Sequence, residues 1–291
     1  MAVLLPTTID ETLAALAATP AALVLAGGTD VMVDVNEGRR RPEHVVCLRR
    51  VETLRARSVE NGTLVLGAAT TYTELLEPEI AAVAPAITDA ARTVGSPQIR
   101  NAGTIGGNLA TASPAGDTLP VLLALGASVE IDGPAGRRRI ALQDFLVGPK
   151  RSALEPGDLM IAVRIPIRRG PQEYLKVGTR NAMVIAVASL ALVVDLDART
   201  VGIGLGSVGP TAFLAAAAAE WLTPRLVWAD DRVSLPQAAD AATFAGLVAA
   251  AAQPIDDHRS TARYRTHAIE VMASRALRRA VQFGAPHRAA T

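Results

Sequence analysis

The stretch GTIGGNLATASPAGD, residues 103–117, separates two hydrophobic runs of the chain. It contains four glycines, two threonines, one asparagine and one aspartate, and it carries few large apolar side chains. Glycine has no Cβ, so a backbone that is rich in glycine can approach a ligand closely. The composition therefore predicts a loop that binds a ligand through amides, hydroxyls and short polar side chains.

A second stretch, AGGTDV at residues 26–31, has the same ingredients. An apolar run leads into Gly27 and Gly28, and successive amides of such a turn form a concave site that suits a phosphate. The segment TIGGN, residues 104–108, offers a threonine hydroxyl, two glycine amides and an asparagine side chain. Either stretch alone is more often a plain turn, and that alternative stays open. Together they suit two adjacent phosphates, and a dinucleotide is the obvious ligand.

Asp117 allows two interpretations. It precedes the apolar run TLPVLLAL, so its carboxylate could cap a helix N-terminus. Alternatively it could accept hydrogen bonds from sugar hydroxyls, as acidic residues do in many dinucleotide sites. The sequence leaves both open.

Composition excludes several other function classes. The chain has 291 residues, enough for one large domain or two modest ones, and its net charge of +1 gives no reason to expect nucleic acid or an anionic membrane as a partner. No apolar run reaches the ~20 residues that span a bilayer. The opening MAVLLPTTIDETLAAL has early acids and no basic segment, which is unlike a signal peptide.

Cysteine and histidine usage excludes a metal or cluster held by this chain. The single cysteine, Cys47, fits a reducing compartment and cannot supply the roughly four thiolates of an iron–sulfur cluster. It lies in the strand-like HVVCL, where we expect a small buried side chain. The histidines are scattered and form no metal-binding motif: His44, His258, His267 and His287. There is also no GxSxG motif of a serine hydrolase.

The pattern of strand-like and helical segments predicts an α+β protein. Strand-like runs occur at residues 22–31, 44–48, 63–71, 127–131, 157–167, 174–180, 183–197 and 200–208. Helical patterns occur at residues 9–18, 72–92 (broken by prolines), 117–126, 211–222, 241–252 and about 260–282. Runs of strands and helices in this order favour α+β over a regular βαβ series. The segment RRGPQ, residues 168–172, predicts a linker between two domains.

One motif matches a dinucleotide-binding fingerprint, but we interpret it as an ordinary turn. GLGSVG, residues 204–209, matches G-x-G-x-x-G after a strand, with Asp230 and Asp231 about 20 residues later, as a Rossmann fingerprint requires. Pro210 follows at once, however, and no second parallel strand appears where the unit needs one. We expect a strand that runs into a turn.

These residues carry a resemblance to a known family. AGGTDV, TLVLGAATTYTELL and above all VGSPQIRNAGTIGGNLATASPAGDTLPVLLALGASVEI resemble the FAD-binding medium subunit of the molybdenum hydroxylases, the xanthine dehydrogenase and carbon monoxide dehydrogenase family. The resemblance continues through GDLMIAVRIPI and YLKVGTRNAMVIAVASLAL and ends with IDDHRSTARYRTHAIEVMASRALRRA, so it covers nearly the whole chain. The opening segment lacks the aromatic residue that is common in the family.

The resemblance implies a fold and a set of cofactor contacts. Residues 1–169 would form a two-lobed α+β FAD-binding domain of the vanillyl-alcohol-oxidase type (PCMH-like). Residues 170–291 would form a small α+β domain with a three-stranded sheet and helices. The diphosphate of the cofactor would be bound on one side by Leu25, Ala26, Gly27, Gly28, Thr29, Asp30 and Val31, and on the other side by Thr104, Ile105, Gly106, Gly107 and Asn108. Asp117 would accept hydrogen bonds from the adenosine side of the cofactor. Met160 would pack on the cofactor, and Lys176 would lie at the edge of the flavin site.

The resemblance also implies a role without a catalytic acid or base on this chain. In the family, electrons leave a substrate at a molybdopterin centre, cross two [2Fe–2S] clusters and reach FAD, which passes them to NAD⁺, oxygen or a quinone. Because this chain lacks cluster ligands, an iron–sulfur small subunit and a molybdopterin-binding large subunit would be separate partners, in a dimer of heterotrimers in the cytoplasm. A stand-alone FAD-dependent reductase of related fold and a non-catalytic scaffold are the alternatives.

Overall fold

The structure is a computed structural model that describes residues 1–235 and 237–283, and His287 lies outside the described residues. The described strands are β1 (Ala2–Leu4), β2 (Leu23–Leu25), β3 (His44–Cys47), β4 (Arg57–Glu60), β5 (Thr63–Gly67), β6 (Ser128–Asp132), β7 (Arg138–Ala141), β8 (Leu146–Gly148), β9 (Arg151–Ser152), β10 (Leu159–Pro166), β11 (Gln172–Val177), β12 (Ala188–Asp195), β13 (Thr200–Gly206), β14 (Phe213–Leu214), β15 (Val227–Trp228) and β16 (Val233–Ser234). The described helices are α1 (Ile9–Ala18), α2 (Val31–Asn36), α3 (Pro78–Val83), α4 (Pro85–Arg92), α5 (Pro97–Ala102), α6 (Ile105–Thr111), α7 (Leu119–Leu125), α8 (Leu142–Phe145), α9 (Ala216–Leu222), α10 (Ala238–Ala251) and α11 (Ala262–Phe283).

The first lobe is a parallel sheet in the order β1-β3-β2. Helix α1 packs on it through Leu16, which joins Val46 and Leu54 in a small core. The helix begins as predicted, because the Thr8 hydroxyl accepts a hydrogen bond from the amide of Glu11 at 3.1 Å. Strand β2 ends where the loop 26–31 begins, so this lobe holds that loop at one sheet edge.

The second lobe is an antiparallel sheet in the order β4-β5-β10-β6-β7. Helices α3, α4, α6 and α7 contribute buried residues to its core. The central strand β10 has a register shift between Met160 and Ala162 against β6. Such a bulge re-aims side chains locally, and Met160 lies on this bulge.

The C-terminal region is a second antiparallel sheet in the order β11-β12-β13-β14. Its three long strands are the predicted ones, and the two-residue β14 extends them to a fourth position. Strand β12 begins at Ala188, so the first part of the predicted run 183–197 is loop. Helices α10 and α11 pack against each other, and α11 lies on β12 and β11.

Helix α7 joins the second lobe to the C-terminal sheet. It packs on β12 and β13, and Cβ atoms at Gly202 and Gly204 would lie 2.1 and 1.9 Å from the carbonyl oxygens of Ala124 and Pro120. The absence of side chains at Gly202 and Gly204 therefore allows the backbone of α7 to approach β13 closely. Because β12 and β13 pair antiparallel, the GLGSVG motif belongs to a hairpin and not to a parallel dinucleotide-binding unit, as expected.

The TIGGN segment differs from the sequence prediction. It is the first turn of α6 rather than an open loop, with Thr104 as the N-terminal cap. The preceding helix α5 was not predicted, although Ser96 and Pro97 carry a start signal, and the Ser96 hydroxyl accepts from the amide of Ile99 at 3.4 Å.

Candidate cofactor-binding site

A cavity of about 580 Å³ lies where the two lobes and the C-terminal region meet. Its volume falls within the roughly 300–1,000 Å³ of small-molecule and cofactor sites. The wall includes both glycine-rich segments, the first residues of β10 and the loop that follows β11. The predicted site residues on the wall are Ala26, Gly27, Gly28, Thr29, Asp30, Val31, Thr104, Gly106, Gly107, Asn108, Asp117 and Met160.

The loop 26–31 presents free donors to this cavity. Among the hydrogen bonds of the described residues, none begins at the amides of Gly27, Gly28, Thr29 or Asp30. Gly28 has φ +71°, a conformation that favours glycine, and a Cβ at Gly27 would lie 1.8 Å from the carbonyl oxygen of Ala102. The first glycine therefore allows contact with the segment before Thr104, and the second turns the chain. Successive unpaired amides of this kind bind anions.

The segment 104–108 uses its amides within the protein. The amide of Ile105 donates to the carbonyl of Thr70 at 2.9 Å, and that of Gly106 donates to Ala68 at 2.9 Å. The amide of Gly107 donates to the Thr104 hydroxyl at 3.0 Å. The parts of this segment that remain available to a ligand are the side of Gly107 that carries no Cβ and the side chain of Asn108.

Asn108 is held in place by one of its two amide atoms. Its Oδ1 accepts from the Thr118 hydroxyl at 2.7 Å, and within the described residues its Nδ2 makes no hydrogen bond. The Nδ2 group is therefore a donor that is free for a ligand on the cavity wall.

Asp117 is buried on the wall and already paired on its far side. Its Oδ1 accepts from the Tyr174 hydroxyl at 3.1 Å and its Oδ2 from Lys176 Nζ at 2.8 Å. Burial raises the pKa of Asp117 above its ordinary value, and the lysine and the tyrosine act in the opposite direction. Helix α7 begins at Leu119 with Thr118 at the cap position and no side-chain cap bond, so the helix-cap interpretation of Asp117 is not what the geometry shows.

Three predicted residues lie behind the cavity wall. Lys176 is buried and donates to Asp117 and to the carbonyl of Thr93 at 3.2 Å, so it supports Asp117 from the C-terminal sheet. Leu25 ends β2, and Ile105 is fully buried in the second-lobe core. Met160, in contrast, faces the cavity from the bulge in β10.

Several residues of the cavity wall were not among the site residues predicted from the sequence. Tyr72 follows β5, and the cations Arg40 and Lys150 come from separate loops. Lys150 also helps Arg39, the main contributor, to lower the pKa of Asp34, another wall residue, against the effect of burial. These residues are dispersed along the chain and meet only in the fold.

The wall loop 183–185 comes from the C-terminal region and is anchored by Arg265. Arg265 Nη1 donates to the carbonyls of Val187 and Ser207 at 2.7 and 2.8 Å, and Nη2 donates to Asp257 at 2.6 Å. Burial acts to raise the pKa of Asp257, but the bonds from Arg259 and Arg265 hold it well below its ordinary value. The guanidinium thus ties the end of the wall loop to α11.

These residues fit FAD. Free amides at Gly27 to Asp30 suit a diphosphate, and Arg40 and Lys150 add positive charge at the wall. Apolar side chains line part of the cavity and suit a flat aromatic ring: Val94, Ile99, Leu154, Leu159, Met160 and Ile185. Over the described part of the chain, no group of three or more histidine, cysteine, aspartate or glutamate side chains is placed to hold a metal ion. Within residues 1–235 and 237–283, no helix combines the length and the hydropathy that a bilayer crossing requires.

Comparison with protein families divides the chain into two matches. Residues 1–168 match the family described as the FAD binding domain in molybdopterin dehydrogenase. Residues 173–280 match the CO dehydrogenase flavoprotein C-terminal domain. Nearly the whole chain is therefore accounted for by domains of flavoprotein subunits.

Curated proteins and solved structures give the same assignment. The chain is 33% identical to the carbon monoxide dehydrogenase medium chain of Afipia carboxidovorans over 261 residues, 88% of each chain. It is 36% identical to the nicotinate dehydrogenase FAD-subunit of Eubacterium barkeri over 180 residues, which are 60% of this chain and 61% of that subunit. The fold matches the cyanide-inactivated Cu,Mo-CO dehydrogenase with TM-score 0.86 and 32% identity, over 96% of this chain and 97% of that one. Quinoline 2-oxidoreductase from Pseudomonas putida 86 matches with TM-score 0.87 and 26% identity over 98% of both chains.

Proposed function

Because the chain belongs to the FAD-binding medium subunits of the molybdenum hydroxylases, we propose that it relays electrons from the [2Fe–2S] clusters of a partner subunit to an external acceptor. The supporting observation is the run of unpaired amides at Gly27 to Asp30 on the wall of the cavity. Bound FAD supplies the redox chemistry, since it accepts electrons singly and releases them in pairs. The protein supplies the position and the electrostatic surroundings.

The proposed contacts follow the predicted site, except that Leu25, Ile105 and Lys176 lie behind the cavity wall. Residues 26–31 wrap the diphosphate through free amides, and the segment 104–108 completes the cradle through the open face of Gly107 and the Nδ2 group of Asn108. Asp117 accepts from hydroxyls on the adenosine side of the cofactor. Met160 packs on the cofactor, and Lys176 acts through Asp117, which it holds in place.

The partners are an iron–sulfur small subunit and a molybdopterin-binding large subunit, arranged as a dimer of heterotrimers. Membership of the family implies this arrangement, and the single cysteine of the chain, which cannot ligate a cluster, is consistent with clusters held on another subunit. The same cysteine count fits a reducing cytoplasm. NAD⁺, oxygen and a quinone are the acceptor classes, and the complex's substrate is chosen on the large subunit.

The first test is an absorbance spectrum of the purified chain, followed by mass spectrometry of the molecule that heat releases. Flavin bands with released FAD are the expected result. If the chain is colourless as isolated, FAD is added and quenching of its fluorescence is measured, with FMN as a control that lacks the second phosphate and the adenosine. Absence of flavin followed by absence of quenching would contradict the proposal and favour the scaffold.

A second test separates the relay from a stand-alone reductase. A tagged chain at native level should co-purify with polypeptides that contain iron–sulfur clusters and molybdenum. Recovery of this chain alone, together with NADPH oxidation by the isolated protein, would instead support the reductase.

A further inference from the structure

Tyr72 is a cavity residue to which the proposed function assigns no role. It is 5% exposed and lies in the turn after β5, where its amide donates to the carbonyl of Gly103 at 3.0 Å. Its ring packs against the same glycine, because a Cβ at Gly103 would lie 3.0 Å from Tyr72 Cε2. Both the backbone and the ring are thus fixed beside the segment 104–108.

The hydroxyl of Tyr72 has no partner within the described residues. The chain contains three tyrosines, and the other buried one, Tyr174, donates its hydroxyl to Asp117. The Tyr72 oxygen makes no such bond, and it is also not among the fully enclosed polar atoms that lack a partner. Since Tyr72 lines the cavity, its hydroxyl opens into it. A largely buried hydroxyl without a partner costs free energy, which a ligand acceptor would recover.

The phenol is held as a donor. Burial, reinforced by the charge of Asp117, raises the pKa of Tyr72 well above its ordinary value. The group is therefore a neutral phenol at pH 7, and its O–H is available as a donor.

We propose that the Tyr72 hydroxyl donates a hydrogen bond to an acceptor oxygen or nitrogen of bound FAD and so positions the cofactor between the segment 104–108 and Asp117. This inference rests on the proposed function. The acceptor belongs either to the isoalloxazine, ribityl and first-phosphate part of FAD or to its adenylate part. The two alternatives share the same chemistry and are separated by the experiment.

The experiment replaces Tyr72 and, in a separate control variant, Tyr264 in the full chain. Tyr72→Phe keeps the ring and removes only the hydroxyl, and Tyr264→Phe is the matched control, because Tyr264 is 48% exposed on α11. FAD affinity is measured by fluorescence quenching and by the rise in unfolding temperature at a fixed FAD concentration. We expect Kd to increase about 2- to 12-fold in Tyr72→Phe, as for one neutral hydrogen bond, and to stay unchanged in Tyr264→Phe.

Two further readouts keep the result specific. The apo form of Tyr72→Phe should unfold at the wild-type temperature or slightly above it, because no hydrogen bond within the protein is lost. A lower FAD affinity of this variant would then report the loss of a contact with the ligand. A parallel loss for FMN, with shifted flavin bands, assigns the acceptor to the flavin part, whereas a loss for FAD alone assigns it to the adenylate part.

The failure of this inference is distinguishable from that of the proposed function. If wild type binds no FAD, the proposed function itself is contradicted. If wild type binds FAD and Tyr72→Phe binds it with the same Kd and the same spectrum, the tyrosine contact alone is overturned.

Discussion

The two glycine-rich segments of this chain have nearly the same composition and opposite hydrogen-bonding states. Gly27 to Asp30 leave their amides free at the cavity, whereas the amides of Ile105, Gly106 and Gly107 all donate within the protein. The first segment follows a strand and turns through Gly28, and the second begins a helix capped by Thr104. Similar sequences therefore serve one wall in two ways: one supplies donors, and the other supplies an open surface.

The difference also separates the roles of the glycines. A Cβ at Gly27 or Gly106 would overlap a backbone carbonyl oxygen, at 1.8 Å from Ala102 and 2.5 Å from Ala68. A Cβ at Gly107 would approach only the Thr104 hydroxyl, at 2.9 Å. Gly27 and Gly106 are thus needed for packing, and Gly107 is needed for the space on the cavity side.

Gly27→Ala should have the largest effect on FAD binding. The added Cβ separates the loop 26–31 from the segment before Thr104, so we expect FAD binding to be lost and the free energy of unfolding to fall by about 1–3 kcal/mol or more. Fluorescence quenching and chemical denaturation measure the two effects. Gly28→Ala is the control: its neighbours are the flexible side chains of Leu25 and Met32, so only backbone strain of about 1–2 kcal/mol is expected. If Gly27→Ala and Gly28→Ala lost FAD affinity and stability equally, the contact between Gly27 and the segment before Thr104 would not explain the loss.

Gly107→Val should abolish FAD retention, because its branched side chain occupies the open face of the cavity, and it should also cost part of the helix cap, about 0.5–2 kcal/mol, because the new Cβ would lie 2.9 Å from the Thr104 hydroxyl. Gly106→Ala is the matched variant and should lower apo stability by about 1–3 kcal/mol through its contact with Ala68. Flavin content per chain and the unfolding temperature distinguish the two. Full flavin occupancy in Gly107→Val would show that the segment 104–108 does not face the cofactor.

Asp117→Asn should weaken FAD by about 1.5–3 kcal/mol if a charged hydrogen bond to the cofactor is removed. It also leaves Lys176 buried without its partner, which costs about 3–5 kcal/mol of stability. The double variant Asp117→Asn/Lys176→Met restores the charge balance and should recover most of that stability. FAD affinity that recovers together with stability in the double variant would mean that Asp117 acts only as a structural ion pair.

Thr104→Val should have the smallest effect and tests the cap directly. Loss of a threonine N-cap costs about 0.5–2 kcal/mol of stability, and the amide of Gly107 loses its partner. Thr29→Val lies on the free-amide loop and should leave stability within about 0.5 kcal/mol of wild type. Thermal unfolding of the apo proteins measures both, and the reverse order would contradict the assignment of cap and donor.

Local signals predicted much of this molecule. Thr8 and Gly126 mark a helix start and a helix end where the sequence places them, and the prolines at 78 and 85 break the run 72–92 into short helices. The family was identified from the two glycine-rich motifs because backbone-mediated binding restricts several adjacent positions at once. The domain boundary at 169/170 and the individual cofactor contacts stay predictions.

The rest of the site depends on contacts that no local pattern encodes. Lys176 reaches Asp117 across 59 residues, so its place behind the wall follows only from the pairing of the two chain halves. Tyr72 and Lys150 are single residues in turns, without a period or a motif. The glycines of TIGGN indicated a loop, since composition does not show that a threonine cap and nearby carbonyls consume the amides.

The anchoring of the wall loop by Arg265 has a consequence for the order of synthesis. Arg265 lies 78 residues after Val187, whose carbonyl it holds. A nascent chain that has already folded both N-terminal lobes therefore still lacks the bond that fixes the last side of the cavity. A chain truncated before α11 would therefore be expected to fold with this side of the cavity unanchored.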